Sequence, residues 1–150
     1  MIDFIGWELR GSDIQITFLP GSPASKVLVN KVQIEQVLIN LIRNSIEAIG
    51  QAGISGGQVD ITTRETAAGS IEVTVADNGP GIDKEHLERI FQRFYRVPET
   101  RMAVRGSGLG LYICRQIIIA HNGTIKAESD TGQGTTFYIT MPIVEGDESV

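Results

Sequence analysis

Two asparagines four residues apart, Asn40 and Asn44, carry the first chemical signal in this chain. Residues at that spacing stack one turn above the other on a helix. Each carboxamide offers an oxygen suited to a hard cation and N–H groups suited to a phosphate. Counted at about 100° per residue, Gln33, Asn40, Asn44 and Glu47 fall within roughly 60° of one another along one polar edge. Mg2+ keeps several waters and needs only one or two protein ligands beside substrate phosphates, so so sparse a donor set would suffice. Such an edge is either one wall of a site or a solvated helix face.

A second signal is Asp77-Asn78-Gly79-Pro80-Gly81 at the end of a strand-like run. A carboxylate there can accept from an exocyclic amine, and glycines let the backbone pass close to a planar ring. An adenine fits this description, and so does an ordinary Asn-Gly or Pro-Gly turn. A calcium loop is disfavoured, because Gly79 and Gly81 stand where alternate oxygen ligands are needed. The third signal is Gly106-Ser107-Gly108-Leu109-Gly110-Leu111, a glycine-rich turn opening a helix, where free N–H groups and the positive helix end can seat a phosphate. It lacks the Lys and Ser/Thr of a P-loop and follows no strand of the dinucleotide-binding type. Arg93, Arg96, Arg101 and Arg105 precede it and supply cations for phosphates, one or two of which would suffice.

These residues need elements to hold them. Ile14, Ile16 and Phe18 alternate with polar residues as in a half-buried strand, and Val27 to Val29 reads as a second short one. From Lys31 to Gln51 apolar residues recur at three and four, predicting an amphipathic helix with Leu38, Leu41 and Ser45 at the centre of its stripe. Gln58 to Arg64 and Ser70 to Ala76 read as an antiparallel pair. A short helix over Lys84 to Phe91, a buried helix over Leu109 to His121 and strands over Thr124 to Glu128 and Thr135 to Met141 complete the order. The fold class expected is α/β: a two-layer sandwich with a mixed sheet of about five strands packed on about three helices.

At 150 residues, 41% of them hydrophobic, the chain is the size of one domain with a continuous core. A net charge of −5 argues against nucleic acid or an anionic membrane surface as partner, since both are polyanions. One cysteine excludes an internal disulfide framework and a cysteine-rich zinc site, which fits a cytoplasmic setting. The apolar runs are too short to span a bilayer and the N-terminus has no signal-peptide pattern, so direct membrane contact is not expected, whatever anchors a longer parent.

Taken together, Asn40-Leu41-Ile42-Arg43-Asn44, Asp77-Asn78-Gly79-Pro80-Gly81, Phe91-Gln92-Arg93-Phe94, Gly106 to Leu111 and Gly134-Thr135-Thr136-Phe137 resemble the N, G1, F, G2 and G3 boxes of sensor histidine kinases, in order and in spacing. The resemblance spans roughly residues 12 to 143, with 1–11 as a boundary segment from a preceding dimerisation domain and 144–150 as an acidic tail. It implies the Bergerat ATP-binding fold shared with gyrase, Hsp90 and MutL. It further implies ATP and Mg2+ as cofactors, with Asn44 as metal ligand and Asn40 as second ligand or phosphate contact, the two forming the catalytic pair. By the same resemblance Asp77 binds the adenine amine, Gly79 and Gly81 admit the ring, Ile82 packs beside it and Thr135 reaches the adenine side. Gly106, Ser107, Gly108, Leu109, Gly110 and Leu111 hold the phosphates. Residues 82–105 form a mobile ATP lid, within which Tyr95, Arg96 and Arg105 reach the nucleotide. Phe91 and Phe94, at helical spacing, are expected to plug the core and anchor that lid. Two positions depart from the family pattern: Glu47 stands where many members carry a phosphate-contacting Lys, and Asn30 where they carry an aspartate.

Phosphoryl transfer depends chiefly on placing the nucleophile and neutralising charge, so such a domain need not carry its own acceptor. The two histidines present, His86 and His121, read as a solvated residue on the lid helix and a helix-end residue near a C-terminal dipole. The resemblance therefore implies a histidine-bearing dimerisation domain as partner in trans and a response regulator downstream. A gyrase- or Hsp90-like clamp would place a catalytic acid where Asn40 stands, and an amide cannot act as general base for water. A nucleotide-binding pseudokinase remains the other alternative, because of Glu47.

Overall fold

The computed structural model describes residues 13–19, 21, 27–95 and 109–143. The long amphipathic segment forms α1, Lys31–Ala52. It begins where the Asn30 side chain accepts a hydrogen bond from the Gln33 N–H at 3.0 Å, satisfying a donor with no partner inside the helix. It ends at Gly53, whose φ of 66° is the left-handed conformation that glycine adopts at least cost. Val37, Leu41, Ile42, Ser45 and Ile49 lie on its buried face, as the three-four periodicity requires.

Five strands make one sheet: β1 Gln15–Leu19, β2 Gln58–Glu65, β3 Ser70–Asp77, β4 Thr124–Asp130 and β5 Gly134–Pro142. Their spatial order is β1-β2-β3-β5-β4. β1 runs parallel to β2, as a strand pair joined through α1 can, and every other pairing is antiparallel. Val59, Ile61, Val73, Val75, Phe137 and Ile139 alternate along their strands into one buried layer. Helix α1 and a second helix, α3 (Gly110–Ala120), pack on each other and against the sheet. The opposite sheet face carries polar pairs such as Arg64 Nε to Glu72 Oε1 at 2.8 Å. The expected mixed two-layer sandwich is thus the fold observed. No helix among the described residues is long and apolar enough to cross a membrane.

Several local expectations require correction. Val27 to Val29 is not a strand but irregular chain leading into the helix cap. The short helix α2 covers only Lys84–Leu87, followed by turns through Phe94. Of the two phenylalanines, only Phe91 is a plug: it is buried and meets Phe137 edge-on, with ring centroids 6.2 Å apart. Phe94 is exposed at a φ of 65°, and the Arg93 guanidinium lies 5.1 Å from its ring centre. The turn after Leu87 breaks the helical spacing that would have turned both rings inward. His86 is not solvated: its side chain is 12% exposed and its Nδ1 is hydrogen-bonded to the Tyr95 hydroxyl.

Candidate functional site

The site assembles where the end of β3 meets the β4–β5 hairpin. Asp77 is the last residue of β3, and its Oδ1 accepts from two backbone N–H groups, Gly79 at 2.9 Å and Thr135 at 3.2 Å. Those bonds orient the carboxylate. Among the described residues Oδ2 accepts no hydrogen bond, so one lone-pair edge of a half-buried carboxylate stays open.

Two glycines adjoin it, and at Gly81 backbone excludes any side chain. A Cβ on Gly79 would lie 2.9 Å from Asp77 Oδ1 and 3.5 Å from Ile49 Cγ1. Gly81, at φ 79°, faces the Asp130 carbonyl, where a Cβ would come within 2.3 Å. The turn bearing Gly79 therefore lies against Ile49, on the last turns of the helix that carries Asn40 and Asn44. The turn and the hairpin are also stitched together: Gly132 N–H donates to the Pro80 carbonyl at 2.7 Å, and Thr131 Oγ1 donates to Asp83 Oδ1 at 2.5 Å.

Asn78 belongs to this architecture rather than to a ligand. Its Oδ1 accepts from Gln58 N–H at 2.7 Å and its Nδ2 donates to the Gly56 carbonyl at 3.0 Å, tying the end of β3 to the start of β2. Ile82 is half-buried against the core, with its N–H donated to Ser129 Oγ at 2.7 Å. Ser129 is the residue that sequence reasoning missed. It also donates to the Gly134 carbonyl at 2.8 Å and lies 3.0 Å from Thr135 Oγ1, and a lone serine in a polar strand gives no signal of that role.

On α1, Asn40 and Asn44 are half-buried and Glu47 is exposed. Asn40 meets the thiol of Cys114, a fully buried residue on α3. The thiol has one proton, and Sγ faces the Val37 carbonyl at 3.8 Å as donor. Two half-buried amides one helical turn apart, each with an oxygen to offer, are a donor set that fits a hard cation such as Mg2+. Burial pushes the Cys114 thiol up from 9.0 to about 11, against a smaller lowering by the Asn40 hydrogen bond.

Leu109, Gly110 and Leu111 stand at the start of α3, with Gly110 in open space. Arg96, Arg105, Gly106, Ser107 and Gly108 lie outside the described residues. The hydroxyl of Tyr95 is engaged with His86.

Residues 29–145 match the family described as Histidine kinase-, DNA gyrase B-, and HSP90-like ATPase. The chain is 36% identical over 140 residues to the adaptive-response sensory kinase SasA of Parasynechococcus marenigrum, covering 93% of this chain and 35% of that protein. It spans about a third of the length of such curated relatives. Among solved structures, the catalytic domain of histidine kinase ThkA superposes with a TM-score of 0.76 at 33% identity, covering 93% of this chain and 87% of that one. ThkA solved in complex with response regulator protein TrrA superposes with a TM-score of 0.74 at 31% identity, covering 95% of this chain and 38% of that one.

Proposed function

Since the chain belongs to the histidine kinase-, DNA gyrase B- and HSP90-like ATPase family, we propose that it binds Mg-ATP and donates the γ-phosphoryl group to a histidine on a separate dimerisation domain. The observation that carries the reading is Asp77, pinned through Oδ1 by two backbone N–H groups while Oδ2 stays open beside Gly79 and Gly81, the second of which backbone alone closes to any side chain. A fixed acceptor next to bare backbone suits the exocyclic amine and flat face of adenine.

In this reading Gly79 and Gly81 admit the ring, Ile82 packs beside it and Thr135 reaches its amine side. Asn44 and Asn40 hold Mg2+, with Glu47 at the end of the same polar edge. Bound Mg2+ would neutralise phosphate charge as it builds up. Residues 106–111 seat the phosphates, with Tyr95, Arg96 and Arg105 contributed by the covering segment. In the transfer, the bond from the γ-phosphorus to the bridging oxygen breaks, a nitrogen–phosphorus bond forms on the incoming imidazole, and ADP leaves. Asn40 favours a kinase over a hydrolytic clamp, because it occupies the place of the clamp's acid and an amide cannot deprotonate water.

The named partners are that dimerisation domain and, downstream, a response regulator, for which the ThkA–TrrA complex is the supporting precedent. The cytoplasm, where ATP and such regulators meet, is the proposed location. The test is transfer of label from γ-labelled ATP to an added histidine-bearing dimerisation domain. Tight ATP binding with no transfer would sink the kinase reading in favour of a nucleotide sensor.

A further inference from the structure

Ser129 has one proton and two lone pairs, and its neighbours use all three. The Gly134 carbonyl, 2.8 Å away, can only accept, so the Ser129 proton points there. The Ile82 N–H can only donate, and it fills one lone pair at 2.7 Å. The remaining neighbour is the Thr135 hydroxyl at 3.0 Å. With the Ser129 proton committed, that bond runs in one direction: Thr135 donates and Ser129 accepts. Thr135 Oγ1 is then left with lone pairs only. Thr135 is 6% exposed, so bulk water cannot easily compensate a mismatch there. Its own N–H donates to Asp77 Oδ1, so residue 135 adjoins the carboxylate whose Oδ2 is also an acceptor.

We propose that Ser129 is a specificity-determining residue: by taking the Thr135 proton it makes, with Asp77, a wall of acceptors that suits a 6-amino purine nucleotide and rejects a 6-oxo one. The inference rests on reading Asp77 as the base-binding carboxylate. In a Ser129→Ala chain the Thr135 hydroxyl regains a free proton and can turn to donate to an oxo group.

The experiment is calorimetric binding of ATP and inosine triphosphate, which differ at position 6, an amine donor against an oxo acceptor, and with it at N1, an acceptor against an N–H donor. It compares the wild-type chain with Ser129→Ala, Ser129→Thr and Asp77→Asn. Ser129→Ala is expected to narrow the preference for ATP by about tenfold, mainly by tighter binding of inosine triphosphate, the scale of one hydrogen bond. Ser129→Thr, which keeps the hydroxyl, is expected to retain the preference. Parallel weakening of both nucleotides with an unchanged ratio would show that Ser129 merely supports the hairpin and would overturn the proposal. Should Ser129→Ala fail to fold, Thr135→Val removes the same acceptor, and an unchanged ratio there overturns it equally. Unaltered ATP affinity in Asp77→Asn would instead remove the adenine reading itself, whereas loss of ATP binding in Asp77→Asn beside an unchanged ratio in Ser129→Ala would remove only the role of Ser129.

Discussion

The backbone N–H of Asn30 donates to Nε2 of His121 at 3.0 Å, joining the start of α1 to the end of α3 across 91 positions of sequence. Nδ1 of the same ring faces the Ile117 carbonyl at 2.7 Å, which can only accept. The ring is therefore the neutral Nδ1–H form, with its other nitrogen as acceptor. His121→Ala leaves both backbone groups without this partner and is expected to cost about 1–2 kcal/mol. A urea unfolding midpoint indistinguishable from wild type would refute the clamp.

Asp77→Asn separates support from recognition. The amide oxygen can still accept from Gly79 and Thr135, so the fold is expected to persist. The NH2 group then replaces Oδ2 and meets a donor amine with a donor. ATP affinity is expected to fall by about 1.5–3 kcal/mol, the range for a lost bond to a charged group, with little change in thermal midpoint. Calorimetry and a melting curve on the same sample check both halves.

Gly134 and Gly50 predict opposite signs for the same substitution. At Gly134, φ is 94° and a Cβ would lie 2.0 Å from the Asp77 carbonyl oxygen, so Gly134→Ala is expected to destabilise by more than about 3 kcal/mol. Gly50 sits on α1 with nothing within 4 Å of an added Cβ. Gly50→Ala is expected to stabilise by roughly 0.5–1 kcal/mol through helix propensity. Chemical denaturation of the two variants compares them directly.

Burial raises the Cys114 thiol from 9.0 to about 11, so the folded chain holds this proton longer than the unfolded chain does. The associated stability is fully present below pH 9 and is lost as pH rises through about 11. Within that window the slope reaches at most about 1.4 kcal/mol per pH unit. Unfolding free energies at stepped pH, with Cys114→Ala as the reference lacking the thiol, should differ in slope only above pH 9.

Apart from a strand expected at Val27 to Val29, the order of the main elements was legible in the chain alone. Helix α1 announces itself by period, the polar edge with Asn40 and Asn44 follows from the turn angle, and β2–β3 pair as a hairpin because their strand-like runs are separated by one short turn. Where a local rule competed with packing, packing prevailed. Phe91 and Phe94 share helical spacing, yet the chain leaves the helix after Leu87 and only Phe91 turns to the core.

Sequence by itself determined which functional groups are available and roughly which elements carry them, because periodicity and turn chemistry act between neighbours. The tertiary structure alone decided how Asp77 is presented, which oxygen is occupied and which is open, since one of the N–H groups that hold it arrives 58 residues later. It likewise brought Cys114 of another helix beside Asn40, and Ser129 beside Thr135. Hydrogen-bond direction is settled only when every donor and acceptor around an atom has been brought into place, and folding is what brings them there.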